Sequence, residues 1–135
     1  MGVNTGDIDN DGFLDFYIGT GYVDYEGLIP NLLFHNESGE KFTDITFSAR
    51  VGHLQKGHGV SLADFDSDGD LYIFAVMCGW FSVDAFARAL FSNPGPNANW
   101  LFIQLRGEKS NRYVVGARLL VTLPNKSGET QNNVR

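Results

Sequence analysis

Apolar residues along this chain gather in short runs separated by polar, glycine-bearing stretches, the pattern of strands joined by turns. Gly2–Gly6 predicts the end of a strand, and Leu14–Ile18 predicts a second that stops at Gly19-Thr20-Gly21. Asn31–Asn36 and Lys41–Thr46 predict a hairpin, Leu32-Leu33-Phe34 against Phe42-Thr43-Asp44-Ile45, joined through Glu37-Ser38-Gly39-Glu40. Gly59–Ala63 and the strongly apolar Leu71–Cys78 predict two more strands. Ser82–Leu90 fits a short helix, with Ser82 as N-cap and Asp84 near the positive end of the dipole. Asn93-Pro94-Gly95-Pro96-Asn97 is a turn. Beyond it, Trp100–Arg106 alternates: Leu101, Ile103 and Leu105 share one face, which predicts a strand with one aliphatic side. Gly107–Tyr113 is a polar loop, Gly116–Leu123 predicts a further strand, and Pro124–Arg135 loses all periodicity. The expected class is all-β.

The pattern repeats. At an offset of 57 residues Gly2 matches Gly59, Val3 matches Val60, Leu14 matches Leu71, Leu33-Phe34 matches Leu90-Phe91, and Asn36 matches Asn93. A constant offset over such a span marks a duplicated structural unit, stacked or arranged radially. The two repeats run over 1–56 and 57–99 within a region 1–99, and the change of pattern at Trp100 predicts a second, incomplete module over 100–135. Met1-Gly2-Val3-Asn4 enters the first repeat at once, so the expectation is a fragment of a longer protein.

Each repeat carries an acidic loop. In Asp7-Ile8-Asp9-Asn10-Asp11-Gly12-Phe13-Leu14-Asp15, carboxylates fall at positions 1, 3, 5 and 9, with glycine at 6. Ca²⁺ takes about six to eight oxygen ligands at roughly 2.3–2.6 Å, which carboxylates on alternate residues of a sharply turned loop can supply. Position 7, Phe13, would contribute its backbone carbonyl, leaving its side chain free to be apolar. Without a cation these carboxylates repel one another. The second loop is Asp64-Phe65-Asp66-Ser67-Asp68-Gly69-Asp70. An EF-hand needs a glutamate at position 12 and flanking helices. Position 12 is Ile18 in the first loop and Ala75 in the second, and both loops run into strand-forming residues. The EF-hand reading fails, which leaves a calcium loop feeding directly into a strand.

Composition agrees. The 135 residues include 11 Phe and only 19% charged side chains, a chain able to bury a core. Eight of its 16 acids lie in the two loops, and two bound Ca²⁺ would bring the net charge from −6 to −2. No basic partner is needed to explain the acidity, and the scattered ten Lys and Arg argue against nucleic acid. Cys78 is expected to be a buried small hydrophobe without a disulfide partner. No apolar run is long enough to span a membrane.

With these residues in hand, the chain resembles proteins that join FG-GAP/VCBS-type propeller repeats to an ASPIC/UnbV domain. The likeness rests on Asp7–Tyr17, Asn31–Asn36, Gly57-His58-Gly59-Val60 and Ala63-Asp64-Phe65-Asp66. It continues in Phe91–Gly95, Asn99-Trp100-Leu101, Lys109–Arg112 and Gly116-Ala117-Arg118. The resemblance implies a partial β-propeller of about two blades, followed by the start of an ASPIC/UnbV-like module. It implies Ca²⁺ on Asp7, Asp9, Asp11, the Phe13 carbonyl and Asp15, and on Asp64, Asp66 and Asp68, with Asp70 as a possible substitute ligand. Without a gap, Tyr72 stands where Asp15 stands; alternatively two residues are missing after Asp70. Either way the second site is expected to be weaker. The implied role is non-enzymatic adhesion or recognition of an extracellular protein or glycan, at the cell surface, in the periplasm or outside the cell, alongside the remaining blades of a parent propeller. Two other readings compete: a purely structural repeat, and a polysaccharide-acting enzyme using His53, His58 and Asp44. Trp80, Phe81 and Tyr22–Tyr25 form a candidate aromatic patch, for which core packing is the simpler account. Asn36-Glu37-Ser38 and Asn125-Lys126-Ser127 fit the N-glycosylation pattern.

Overall fold

The computed structural model describes residues 1–22, 24, 26–79, 87–95, 100–109, 111–124 and 130–134. The chain divides into two compact units, 1–99 and 100–135. Every regular element among the described residues is a strand.

In the first unit, β1 (Val3–Gly6), β2 (Asp15–Ile18), β3 (Leu32–Glu37) and β4 (Lys41–Asp44) form an antiparallel sheet in sequence order. A second sheet takes β5 (Gly57–Ala63), β6 (Tyr72–Met77) and β7 (Ala89–Phe91), also in order. The acidic stretches are the connections β1–β2 and β5–β6, so each is the closed end of a hairpin. This is consistent with a partial, unclosed β-propeller fragment.

The registers decide the alignment of the repeats. Gly6 pairs with Asp15, Val3 with Ile18 and Phe16 with Phe34; in the second sheet Ala63 pairs with Tyr72, Val60 with Ala75 and Ile73 with Phe91. Every pair is displaced by the same 57 residues. No residue is missing after Asp70, and Tyr72 holds the place of Asp15.

The two sheets bury opposite faces of the same repeat. In β2, Asp15 and Tyr17 are buried; in β6 the buried set is Ile73, Ala75 and Met77, one position out of phase after subtracting the offset. Period-two alternation means that such a shift selects the other side of a sheet. The sheets therefore meet face to face, and the core between them is Tyr17, Leu33, Val51, Ile73, Ala75 and Met77. Polar groups inside it are satisfied. The Tyr17 hydroxyl donates to the Val51 carbonyl at 2.9 Å, and Leu33 N donates to Thr46 Oγ1 at 2.8 Å. Burial pushes the Tyr17 phenol pKa up to about 12. Gly57 lets the sheets approach: a Cβ there would sit 2.6 Å from Asn31 Oδ1 and 2.8 Å from Gly19 Cα.

In the second unit β8 (Leu120–Pro124) and β9 (Thr130–Val134) pair antiparallel, Leu120 opposite Val134. Three expectations need correction. Trp100–Arg106 forms no strand: alternation supplies a face but no neighbour, and Leu101, Ile103 and Leu105 stay exposed. A strand does form at Thr130–Val134, where periodicity is absent, because pairing with β8 organises it. Cys78 is exposed, one step past Met77, the last inward side chain of β6. Of the segment expected to be helical, Ala89 and Leu90 belong to β7, while Ser82–Phe86 lie outside the described residues. Trp80, Phe81, Tyr25 and Asn125-Lys126-Ser127 also lie outside them.

Candidate metal centre

The first loop is wound around the carboxylate of Asp7. Asp7 Oδ1 accepts from Asp11 N and its Oδ2 from Gly12 N, both at 3.0 Å. Asp11 Oδ1 accepts from Phe13 N at 2.8 Å. The turn requires positive φ at Asn10 (60°) and Gly12 (96°), the second well suited to glycine. Asp15 closes the loop from β2. Its Oδ2 accepts from Ile8 N at 2.9 Å and its Oδ1 from Asn36 N at 2.8 Å. Asp7 and Asp15 are 4% and 1% exposed. Desolvation raises the Asp15 pKa, against the lowering effect of its two backbone donors.

One carboxylate oxygen each from Asp7, Asp9 and Asp15 lies within 4.8 Å of the others. Two buried carboxylates and a third beside them form an oxygen-only set, which suits a hard cation and is electrostatically costly without one. The residues present fit Ca²⁺. Asp11 groups instead with Asp9 and His35. There His35, on β3, places Nε2 2.9 Å from Asp9 Oδ2 and 3.8 Å from Asp11 Oδ2. The loop thus brings Asp7, Asp9 and Asp15 into one group, and Asp9, Asp11 and His35 into a second that shares Asp9.

The second loop copies the winding. Asp64 Oδ1 accepts from Asp68 N (3.2 Å) and Oδ2 from Gly69 N (3.1 Å), while Asp68 Oδ1 accepts from Asp70 N (2.9 Å). Ser67 and Gly69 have φ of 64° and 93°, as Asn10 and Gly12 do one repeat earlier. Asp64, Asp66 and Asp68 come together, but all three are exposed. Tyr72 stands in for the missing carboxylate, its hydroxyl donating to Asp66 Oδ2 at 2.8 Å and holding the Asp66 pKa down. Asp70 is not in that group. Its side chain is buried and its Oδ1 accepts from Asn10 Nδ2, in the first loop, at 2.7 Å. The repeated asparagines serve the same place in each sheet. Asn36 Nδ2 donates to Leu14 O at 3.1 Å, and Asn93 Nδ2 donates to Leu71 O at 3.3 Å.

The pattern has a name in comparison with known proteins: a profile described as FG-GAP-like repeat matches residues 7–75, just over half of the 135. The chain belongs to the FG-GAP-like repeat family. No curated protein and no solved structure matches it. The matched segment of this FG-GAP-like chain runs from Asp7 through both acidic loops into β6.

Two participants escaped the sequence reading. The acid spacing of the loop gives no reason to expect His35. Its signal is the register: β3 alternation puts His35 on the face of Leu33, and continuing the β2–β3 pairing sets it beside Asp15. Asn10, at the fourth position of the first loop, joins the two loops. The residues weighed for catalysis have local tasks. His53 Nδ1 accepts from Gln55 N at 3.1 Å, Asp44 Oδ1 accepts from Thr46 N at 2.9 Å, and His58 is exposed on β5.

Proposed function

We propose that this chain is a non-enzymatic, calcium-stabilised module of an extracellular or cell-surface propeller that recognises a protein or glycan. The observation that carries the reading is the convergence of buried Asp7 and Asp15 with Asp9 at the closed end of a hairpin. Ca²⁺ there would neutralise carboxylates that the fold has already removed from water, and its work is architectural: it fixes the turn between β1 and β2. The second loop, with Tyr72 in place of a carboxylate, binds more weakly. The motif residues from Asn99 to Arg118 support an ASPIC/UnbV-like start for the second unit. Among the described residues no helix is long and apolar enough to cross a membrane.

Extracellular calcium modules bind at about 10⁻⁴–10⁻³ M. With free Ca²⁺ near ~1 mM and a Kd of ~0.1 mM, mass action contributes about 1.4 kcal/mol per site. Calorimetric titration is expected to show one tighter and one weaker site, with Asp9→Ala removing the tighter and Asp66→Ala the weaker. A flat heat signal and a melting temperature indifferent to EGTA would refute the metal role. Binding of the chain to a glycan array tests the recognition half separately.

A further inference from the structure

The two acidic loops are anchored differently. In the first, Asp15 on β2 clamps the turn from its own sheet by holding Ile8 N and Asn36 N. Its counterpart in the second, Tyr72, donates to Asp66 and has no carboxylate with which to gather backbone N–H groups. Asp64, Asp66 and Asp68 are all exposed. The missing anchor comes from the neighbouring loop. Asn10 lies between Asp9 and Asp11, and its Nδ2 donates to Asp70 Oδ1 at 2.7 Å and to Gly69 O at 3.4 Å. Gly69 N and Asp70 N are the groups that hold Asp64 Oδ2 and Asp68 Oδ1. Asn10 therefore grips the residues that orient two of the second loop's carboxylates. Asp70 is buried, and Gly95 closes its other side, where any Cβ would overlap Asp70 Oδ2, so the acceptor is fixed in place. Asn93 adds a parallel link, its Nδ2 donating to Ile8 O at 2.8 Å and to Leu71 O at 3.3 Å.

We infer, resting on the calcium reading proposed above, that the two sites are coupled: filling the first loop tightens the second, and Asn10 carries the coupling. Asp7, Asp9 and Asn10 ride on one short stretch of chain. Asn10 stands at a φ of 60°, a left-handed conformation imposed by the winding of the loop. Holding Asp7, Asp9 and Asp15 on one ion fixes that stretch, and with it the amide that clasps Asp70 and Gly69. Part of the ordering cost of the second loop is then met before its own ion arrives, so it binds more tightly with no new ligand. Linkage makes the effect reciprocal: occupation of the second loop tightens the first by the same factor. A hydrogen bond from an amide to a carboxylate sets the scale at about threefold to tenfold in affinity. The two loops therefore fill over a narrower range of calcium than independent sites of the same intrinsic affinities would.

Calorimetric titration with CaCl₂ of the chain, Asp9→Ala, Asn10→Ser and the double variant tests this. Asp9→Ala empties the first site and is expected to weaken the second by about threefold to tenfold. Asn10→Ser removes the amide at a place outside the Asp7, Asp9 and Asp15 group. Serine suits the turn, since Ser67 holds the equivalent place in the second loop at a φ of 64°. This variant is expected to keep two sites, with the second weakened to the level seen in Asp9→Ala. In the double variant the second site should weaken no further, the non-additivity that marks a shared link. Circular dichroism in EGTA reports folding, and Asn10→Gly, which accepts the same φ, repeats the measurement if the serine variant unfolds. Second-site affinities that agree within about twofold in wild type and Asp9→Ala would overturn the coupling and leave both metal sites standing. An Asp9→Ala penalty undiminished in the Asn10→Ser background would overturn the role of Asn10. A wild-type titration without heat, and a melting temperature unmoved by calcium, would overturn the calcium reading and the coupling with it.

Discussion

Replacing Asp15 by asparagine separates what the first loop does for the fold from what a cation does for the loop. The side chain is 1% exposed and accepts from two backbone donors, Ile8 N and Asn36 N. An amide keeps one acceptor oxygen but turns an NH₂ group toward the other donor. One buried N–H is then unpaired, at a cost of about 1–3 kcal/mol. Part of this is offset, because the neutral amide no longer carries the buried charge that desolvation disfavours at this position. In excess EGTA the net loss is therefore expected at about 1 kcal/mol. In ~1 mM Ca²⁺ the variant also forgoes about 1.4 kcal/mol of binding. At about 4 °C per kcal/mol for a unit of this size, the calcium-dependent part should widen the melting-temperature gap by about 6 °C. Thermal melts of both proteins in EGTA and in calcium measure it. A gap of the same width in the two buffers would show that Asp15 does not touch the ion, and the grouping with Asp7 and Asp9 would lose its meaning.

Tyr72→Asp restores a carboxylate at the ninth position of the second loop and should tighten its Ca²⁺ binding by about threefold to tenfold, read by calorimetry in an Asp9→Ala background. Tyr17→Phe removes the hydroxyl that donates to the Val51 carbonyl at 2.9 Å while His53 N still donates there, and should cost about 0.5–1.5 kcal/mol in calcium and EGTA alike, measured by urea unfolding. Hydrogen bonds from the Thr46 hydroxyl and backbone hold the Asp44 pKa below its usual 3.8. A depressed carboxylate pKa gives stability that is present above the unfolded value and lost as pH falls through the folded one. Asp44→Asn should accordingly melt below wild type at neutral pH, with the difference vanishing in strong acid; a gap independent of pH would refute the assignment.

Much of the first unit was legible because its signals are local or repeated. The acid spacing places both loops, and the 57-residue offset carries the β1–β2 and β2–β3 registers onto β5–β6 and β6–β7, from Val60–Ala75 to Phe74–Leu90. Ambiguity over Tyr72 could not be resolved in one dimension, since a gap and a substitution look alike until Ala63 is seen opposite it. What escaped is what pairing decides at a distance. His35 meets Asp9 across 26 residues, and Asn10 meets Asp70 across 60. Alternation at Trp100–Arg106 promised a strand, yet a pleat without a neighbour has nowhere to send its backbone hydrogen bonds. Cys78 looked interior because it ends an apolar run, whereas parity turns it outward after Met77.

The Asn10–Asp70 hydrogen bond means that the hairpin tips of the two repeats share a rivet. Asn93 adds a second one, donating to the Ile8 carbonyl at 2.8 Å while it holds Leu71. A load applied to one repeat therefore reaches its neighbour through the acidic ends as well as through the greasy middle, so prising the sheets apart must unmake both hairpin tips together.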